Sequence, residues 1–445
     1  VPFGGFEIAA KLENHTSARR GGAMAYLDDW YSTLARNLKV GNKKRFFWKG
    51  YEGAPGDMDM ATSLFKDVLN AFTGQGGEED IKPLALRWVS ERVVETSVFS
   101  ACLTSGSTST SPVIRQAEFD SPAARYLPKE SQTGQLLYVW RTGGVPPSRL
   151  AIILPTTGDA FFWFRKQIAL DLLTHDIASV IPMIPFYGKR KPKEQWHHLI
   201  CSVADFFKHI CSGVLEAAAI GAWAASEFPG VNTVFTGVSM GGSIANVAAI
   251  LAAANSSQGK VGACPVVATC SATSFLTGVL HNRIAWKELS EAPSGVADEL
   301  KNLVAVKSAH ERAKVTKESG EELLPTEQDL ADTIEVLNLA KIVRLVEENQ
   351  REVGGQLPMM LDAVVQVQAA NDRFVGREGE ELEDVLKRLV RKGEDFQRVD
   401  ITGGHISTLM RRESAIVPAI VATFSKFSEG YEDSPVEAPQ GMNRL

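Results

Sequence analysis

Hydrophobic positions along this chain fall into two periods that take turns. Short apolar runs rich in β-branched residues, each closed by turn residues, recur at 113–119, 135–142, 150–155, 177–185, 231–236, 261–269, 359–368 and 396–401. Between them lie stretches with apolar residues at helical spacing, at 160–174, 196–227, 242–254, 378–391 and 407–427. Runs of the first kind predict strands and stretches of the second predict helices. Their alternation predicts an α/β protein: a mostly parallel central sheet with helices on both faces. Residues 1–111 show no strand series, and helical patterns near 23–38, 61–72 and 83–102 predict a mainly helical N-terminal extension. A stretch rich in Glu and Lys at about 271–350 predicts a helical insert in the domain at 112–428, followed by a polar tail at 429–445.

One junction carries chemistry. The run VNTVF passes into TGVSMGGSIANVAA, so that Ser239 falls between Gly237 and Gly241 where a strand becomes a helix. This is the G-x-S-x-G pattern of a nucleophile elbow. The turn is sharp, and small residues on each side let it close while the serine hydroxyl stands clear at a helix N-terminus. A glycine-rich turn with an incidental serine is the bland alternative.

A nucleophilic serine needs a base and an acid to orient it. His405 follows Gly403-Gly404 directly after the strand pattern at 396–401, whereas His175, His197, His198 and His209 sit in helical patterns that suit capping or packing. In a serine elbow of this type the chain order is Ser, acid, His. Asp372 lies just past the strand pattern at 359–368 and 33 residues before His405 (405 minus 372), room for one helix and one strand. Asp362, inside a strand, and Asp400, at the end of the next, are weaker alternatives. Met240 follows the nucleophile, so its N–H is the expected first donor to an oxyanion. The second is expected from the loop LPTTGD, with Thr157 first and Thr156 or Gly158 as alternatives; Asp159 there suits the N-cap of the following helix.

Taken together, LPTTGD with Phe162-Trp163-Phe164-Arg165, PFYGKRKPKEQ, TGVSMGG, TGVLHNRIAWKEL, VQAANDRFV and GGHIS resemble the family of alpha/beta-hydrolase domain-containing protein 18. The resemblance runs from about Arg36 to Phe427 and is loose in the insert. It implies an alpha/beta-hydrolase fold and places the triad at Ser239, Asp372 and His405; the insert's place in the sequence, before the acid, puts it over the active-site face as an expected helical lid or acyl-chain wall. It also implies an acyl-ester hydrolase acting on lipid, phospholipids included; the serine, histidine and aspartate themselves predict an acyl-enzyme that water cleaves, with no metal or organic cofactor expected.

Two basic segments change the picture of partners. Lys189, Arg190 and Lys191 lie in a loop expected at the active-site face, where they hold a substrate head group or simply form a solvated loop. Lys44, Arg45, Phe46, Phe47 and Trp48 suit a peripheral membrane contact, or a segment whose aromatics pack inward while its charges face water. The 445 residues carry 47 Lys and Arg against 53 Asp and Glu, a net charge of −6, which gives no general basic field for nucleic acid. The five cysteines, Cys102, Cys201, Cys211, Cys264 and Cys270, are odd in number and lack C-x-x-C spacing, so reduced thiols are expected. The most apolar helical stretch is interrupted by Glu216, which argues against a membrane span. The start at Val1 rather than Met fits a chain trimmed on import, with a mitochondrion favoured, and also fits a fragment. Against the esterase stand two alternatives: a hydrolase-fold subunit of a larger, membrane-bound assembly, and acyl transfer to an acceptor other than water. The second is weakened by the lack of an H-x-x-x-x-D box.

Overall fold

The computed structural model describes residues 45–51, 56–73, 81–94, 111–142, 145–254, 259–269, 284–285, 339, 341–343, 360–372, 374–375 and 378–427. The predicted helix at 23–38, nearly all of the insert and the tail lie outside them.

Nine strands form one sheet: β1 (Arg87–Val93), β2 (Pro112–Asp120), β3 (Thr133–Arg141), β4 (Arg149–Leu154), β5 (Ala178–Met183), β6 (Asn232–Val238), β7 (Val261–Val266), β8 (Ala363–Ala369) and β9 (Phe396–Ile401). Their order across the sheet is β1-β2-β3-β5-β4-β6-β7-β8-β9. The first three strands run antiparallel to their neighbours, and every pair from β5 to β9 is parallel.

Helices α1 (Met58–Thr73), α2 (Trp163–Leu173), α3 (Val203–Glu227), α4 (Met240–Ala254), α5 (Glu378–Leu389), α6 (His405–Leu409) and α7 (Val417–Lys426) accompany it. Side chains in β4 alternate between two cores. Leu150, Ile152 and Leu154 pack with Leu64 of α1, Ile220 of α3 and Ile244 of α4. Ala151 and Ile153 face the other way, onto Ile168 of α2 and Ile420 of α7. Each fully buried Leu or Ile side chain among these contributes roughly 1.5–3 kcal/mol. Burial on both faces is why the central strands read as continuous apolar runs rather than alternating ones.

Three elements differ from the sequence expectation. The predicted helix at 83–102 is in part strand β1, so the sheet begins before residue 112. All seven residues of β1 are exposed, and an edge strand with no buried face carries no alternation to read. The helix expected from 196 starts at Val203, where Ser202 caps it by accepting the Asp205 N–H at 3.2 Å; His197 and His198 precede it in a turn. The single helix expected at 407–427 is broken into α6, a π-helical turn (Arg412–Ile416) and α7. Pro418 in the first turn of α7 has no N–H to continue an α-helix from the preceding residues.

Cys201, Cys211 and Cys264 are free and buried. Among the described residues no helix is long and apolar enough to cross a membrane.

Candidate active site

Because β4, β6, β8 and β9 are parallel, the loops that leave their C-terminal ends share one edge of the sheet. The first is LPTTGD, the second the turn at Ser239, and the third and fourth carry Asp372 and His405.

Ser239 has φ 58°, in the left-handed region that non-glycine residues seldom adopt. Its neighbours permit the turn: a Cβ on Gly237 would lie 2.5 Å from the Gly241 carbonyl carbon, and one on Gly241 would lie 2.7 Å from Pro155 O. The Ser239 N–H donates to Val266 O at 2.9 Å, which fastens the turn to the end of β7. Ser239 is partly exposed, and α4 begins at the next residue, Met240. The Met240 N–H is therefore one of the helix's unpaired first-turn donors. Phe186, His197 and Val267 also have positive φ and lie in loops at this edge, a concentration of strained backbone typical of functional sites.

Asp372 and His405 are joined by more than their side chains. Ala370 N–H donates to Ile401 O and Asn371 N–H to Gly403 O, both at 3.0 Å, so the loops after β8 and β9 are zipped together. Asp372 Oδ2 lies 2.8 Å from His405 Nδ1. Its Oδ1 accepts the N–H groups of Phe374 at 2.8 Å and Val375 at 3.1 Å. Burial alone would raise this carboxyl's pKa, but the charge and hydrogen bond of His405 and the two N–H groups outweigh it and hold it below the usual value. The Phe374 ring stacks on the imidazole with centroids 4.7 Å apart and planes at 21°. Gly403 has φ 107°, and a Cβ there would meet Ser407 Oγ at 2.5 Å. Ser407 Oγ accepts the Gly404 N–H at 2.8 Å and donates to Gly404 O at 3.0 Å, which fixes the start of α6 and with it His405. Asp362 is committed elsewhere, to Arg391 and the Val261 N–H, and Asp400 pairs with Arg398.

In LPTTGD the Gly158 N–H donates to the hydroxyl of buried Tyr187 at 3.1 Å, the Asp159 N–H to Thr156 O at 3.0 Å and the Ala160 N–H to Gly158 O at 2.9 Å. Gly158 is thereby removed as an oxyanion donor, and Thr156 and Thr157 keep N–H groups with no partner among the described residues. Asp159 does not cap α2, whose N-cap is Phe162. It pairs instead with buried Arg165 (Nε to Oδ2, 2.6 Å), which also donates to Ile153 O and Pro182 O and so ties the ends of β4 and β5 to the loop.

Both basic segments behave differently from the membrane and head-group readings. Arg190 is 1% exposed and forms a two-pronged pair with Glu216 of α3, at 2.6 and 2.7 Å, while its Nη2 also donates to Ser131 O. It is a structural brace rather than a head-group ligand. Lys191 Nζ folds back onto the carbonyls of Pro192 and Gln195, and Lys189 is exposed. Phe46 and Phe47 are buried, Phe47 against Phe206, and the Phe47 N–H donates to Ile200 O at 2.8 Å, so neither ring is available to a membrane. Arg45 and Trp48 flank them and Lys44 lies outside the described residues. The sequence reading missed Tyr187, Phe374 and Arg165; lone acid Glu216 in an apolar helix was the one advance sign of the Arg190 pair. Among the described residues no group of three or more His, Cys, Asp or Glu side chains converges as a metal site.

The strand order, the serine turn after β6 and the zipped loops after β8 and β9 define an alpha/beta-hydrolase fold. The chain belongs to the family described as alpha/beta hydrolase domain containing 18, whose model matches residues 45–426; its class is thus a hydrolase. Solved structures similar to it include an acetyl xylan esterase from Paenibacillus sp. R4, 14% identical, covering 88% of this chain and 98% of that one with a TM-score of 0.43. The rice cell wall degrading esterase LipA from Xanthomonas oryzae is 13% identical, covering 78% and 97%, with a TM-score of 0.40.

Proposed function

We propose that this protein is a serine hydrolase that cleaves acyl esters, with lipid esters as its substrate class. The observation that carries the reading is the buried His405–Asp372 contact of 2.8 Å, held at the same sheet edge as the strained Ser239 turn. The Nδ1–H of His405 donates to Asp372 Oδ2, which leaves Nε2 as the ring nitrogen for proton transfer. Ser239 Oγ attacks the ester carbonyl and its proton passes to Nε2. The carbonyl oxygen becomes an oxyanion, received by the N–H groups of Met240 and Thr157. As the carbon–oxygen bond to the leaving group breaks, the imidazolium returns the proton to the departing alkoxide. Water, deprotonated by the same nitrogen, then attacks the acyl-enzyme and frees the acid and Ser239.

Two measurements test this. A fluorophosphonate is expected to label Ser239 in the folded protein and not the Ser239→Ala variant; a folded wild-type protein left unlabelled at Ser239 overturns the reading. A panel of lipid and short-chain esters, assayed for wild type and Ser239→Ala together, then separates lipid from general ester hydrolysis. Release of free acid, rather than an acylated alcohol when one is supplied, excludes acyl transfer.

A further inference from the structure

The turn between β4 and α2 leaves two large aromatics bare. Phe161 is 71% exposed and Trp163 is 59% exposed. The residues between and after them turn inward: Phe162 packs against both cores with the Arg165 guanidinium 5.6 Å from its ring, and Phe164 packs with the α2 side. The exposed pair is therefore an outward-facing set held by buried neighbours. The loop after β5 lies against it, because a Cβ on Gly188 would be 3.1 Å from Ala160 O. That loop carries exposed Lys189 and Lys193, and then Trp196, 37% exposed.

The charges on this rim do not cancel. Its two acids are already committed, Asp159 to Arg165 at 2.6 Å and Glu194 to Lys49 at 2.9 Å. Lys189 and Lys193 form no ion pair among the described residues. A chain whose net charge is −6 thus gathers unpaired cations beside bare aromatic rings, at the edge of the sheet where the Ser239 turn lies.

We propose that the loops after β4 and β5 form a docking surface for an anionic lipid bilayer, with Phe161 and Trp163 entering the headgroup region and Lys189 and Lys193 meeting lipid phosphates. Aromatic rings settle at the depth of the headgroups and lysines are drawn to a negatively charged leaflet. A protein partner would select a contiguous apolar centre depleted of lysine, and here the lysines stand among the rings. This surface replaces the Phe46–Phe47 segment, whose rings are buried. Bilayer binding does not depend on the catalytic reading above; only its use, to present lipid esters to Ser239, rests on it.

Co-sedimentation of the Ser239→Ala protein with vesicles separates binding from turnover. Phosphatidylcholine vesicles with about 30 mol % phosphatidylglycerol are expected to bind it more tightly than phosphatidylcholine alone, and the difference should shrink as salt is raised. Adding Lys189→Ala and Lys193→Ala should weaken binding to the anionic vesicles by about five-fold per lysine and leave the neutral ones unaffected. Adding Phe161→Ser and Trp163→Ser should weaken binding to both. An unchanged melting temperature shows each variant folded. Failure of the parent protein to bind anionic vesicles, or full binding by a folded variant carrying all four changes, overturns the proposal.

Discussion

The Nδ1 of His405 lies 2.8 Å from Oδ2 of Asp372, and both side chains are almost wholly shielded, at 6% and 1% exposure. Those partners keep Asp372 ionised below the ordinary carboxylate pKa. A carboxyl whose folded pKa lies below its unfolded one stabilises the fold fully above the unfolded value, near 3.8, and loses that contribution as pH falls through the folded one. Urea unfolding is expected to show wild type more stable than Asp372→Asn at pH 7, with the gap closing below about pH 4. In the same variant, ester turnover at pH 7 is expected to fall by about 10⁴, because the amide holds the wrong imidazole tautomer.

His209 supplies a second pH dependence, with no role in the proposed chemistry. Its Nδ1 donates to Pro185 O at 2.7 Å, and its Nε2 is buried with no partner among the described residues. Burial lowers its pKa from 6.5 to about 4. Between those values the unfolded chain holds the extra proton, so stability falls as pH drops from 6.5 to 4 and levels off below. The full effect is about 3 kcal/mol. His209→Asn, which keeps a donor for Pro185 O, is expected to flatten the stability curve in that window; a curve of unchanged slope would contradict this.

Removing Glu216 leaves Arg190 buried without its counter-charge. Glu216→Ala is expected to cost about 3–5 kcal/mol of stability, measured by chemical denaturation. Replacing both residues by apolar ones of similar volume should recover most of it, since the pair's attraction is offset by the cost of burying two charges.

Tyr187→Phe takes away the acceptor of the Gly158 N–H while the ring still fills its place. With that N–H unpaired, the LPTTGD turn should hold Thr157 less firmly. The expected result is a fall in kcat of about 10-fold or more with little change in KM, since an oxyanion contact acts mainly in the transition state. An equal loss confined to KM would assign Tyr187 to substrate binding instead.

The central strands β4–β8 were legible because burial on both faces gives largely unbroken apolar runs; Ser239 and Asp372 were singled out because each follows such a run, and His405, which follows the half-exposed β9, because of the Gly403-Gly404 pair before it. Strand β1 was not, since its seven residues are exposed. A charged or aromatic residue in a polar-looking loop carries no local mark of burial, which is why the sequence leaves membrane contact and inward packing both open for Phe46 and Phe47, and head-group and solvated readings open for Arg190, where the structure buries all three. What buries Arg190 is Glu216, 26 residues away. Phe374 and Tyr187 were missed because ring stacking on His405 and a hydroxyl beneath Gly158 are contacts between loops, with no periodicity along the chain.

The zipped loops hang the imidazole and its carboxylate on β8 and β9, at the sheet's outer margin, while the serine turn is pinned inboard to β7. The two halves have separate anchors. Fraying of the last strand would draw the base away from the acid on β8 and leave the hydroxyl standing intact, so that marginal strand is the part of the scaffold on which their meeting depends.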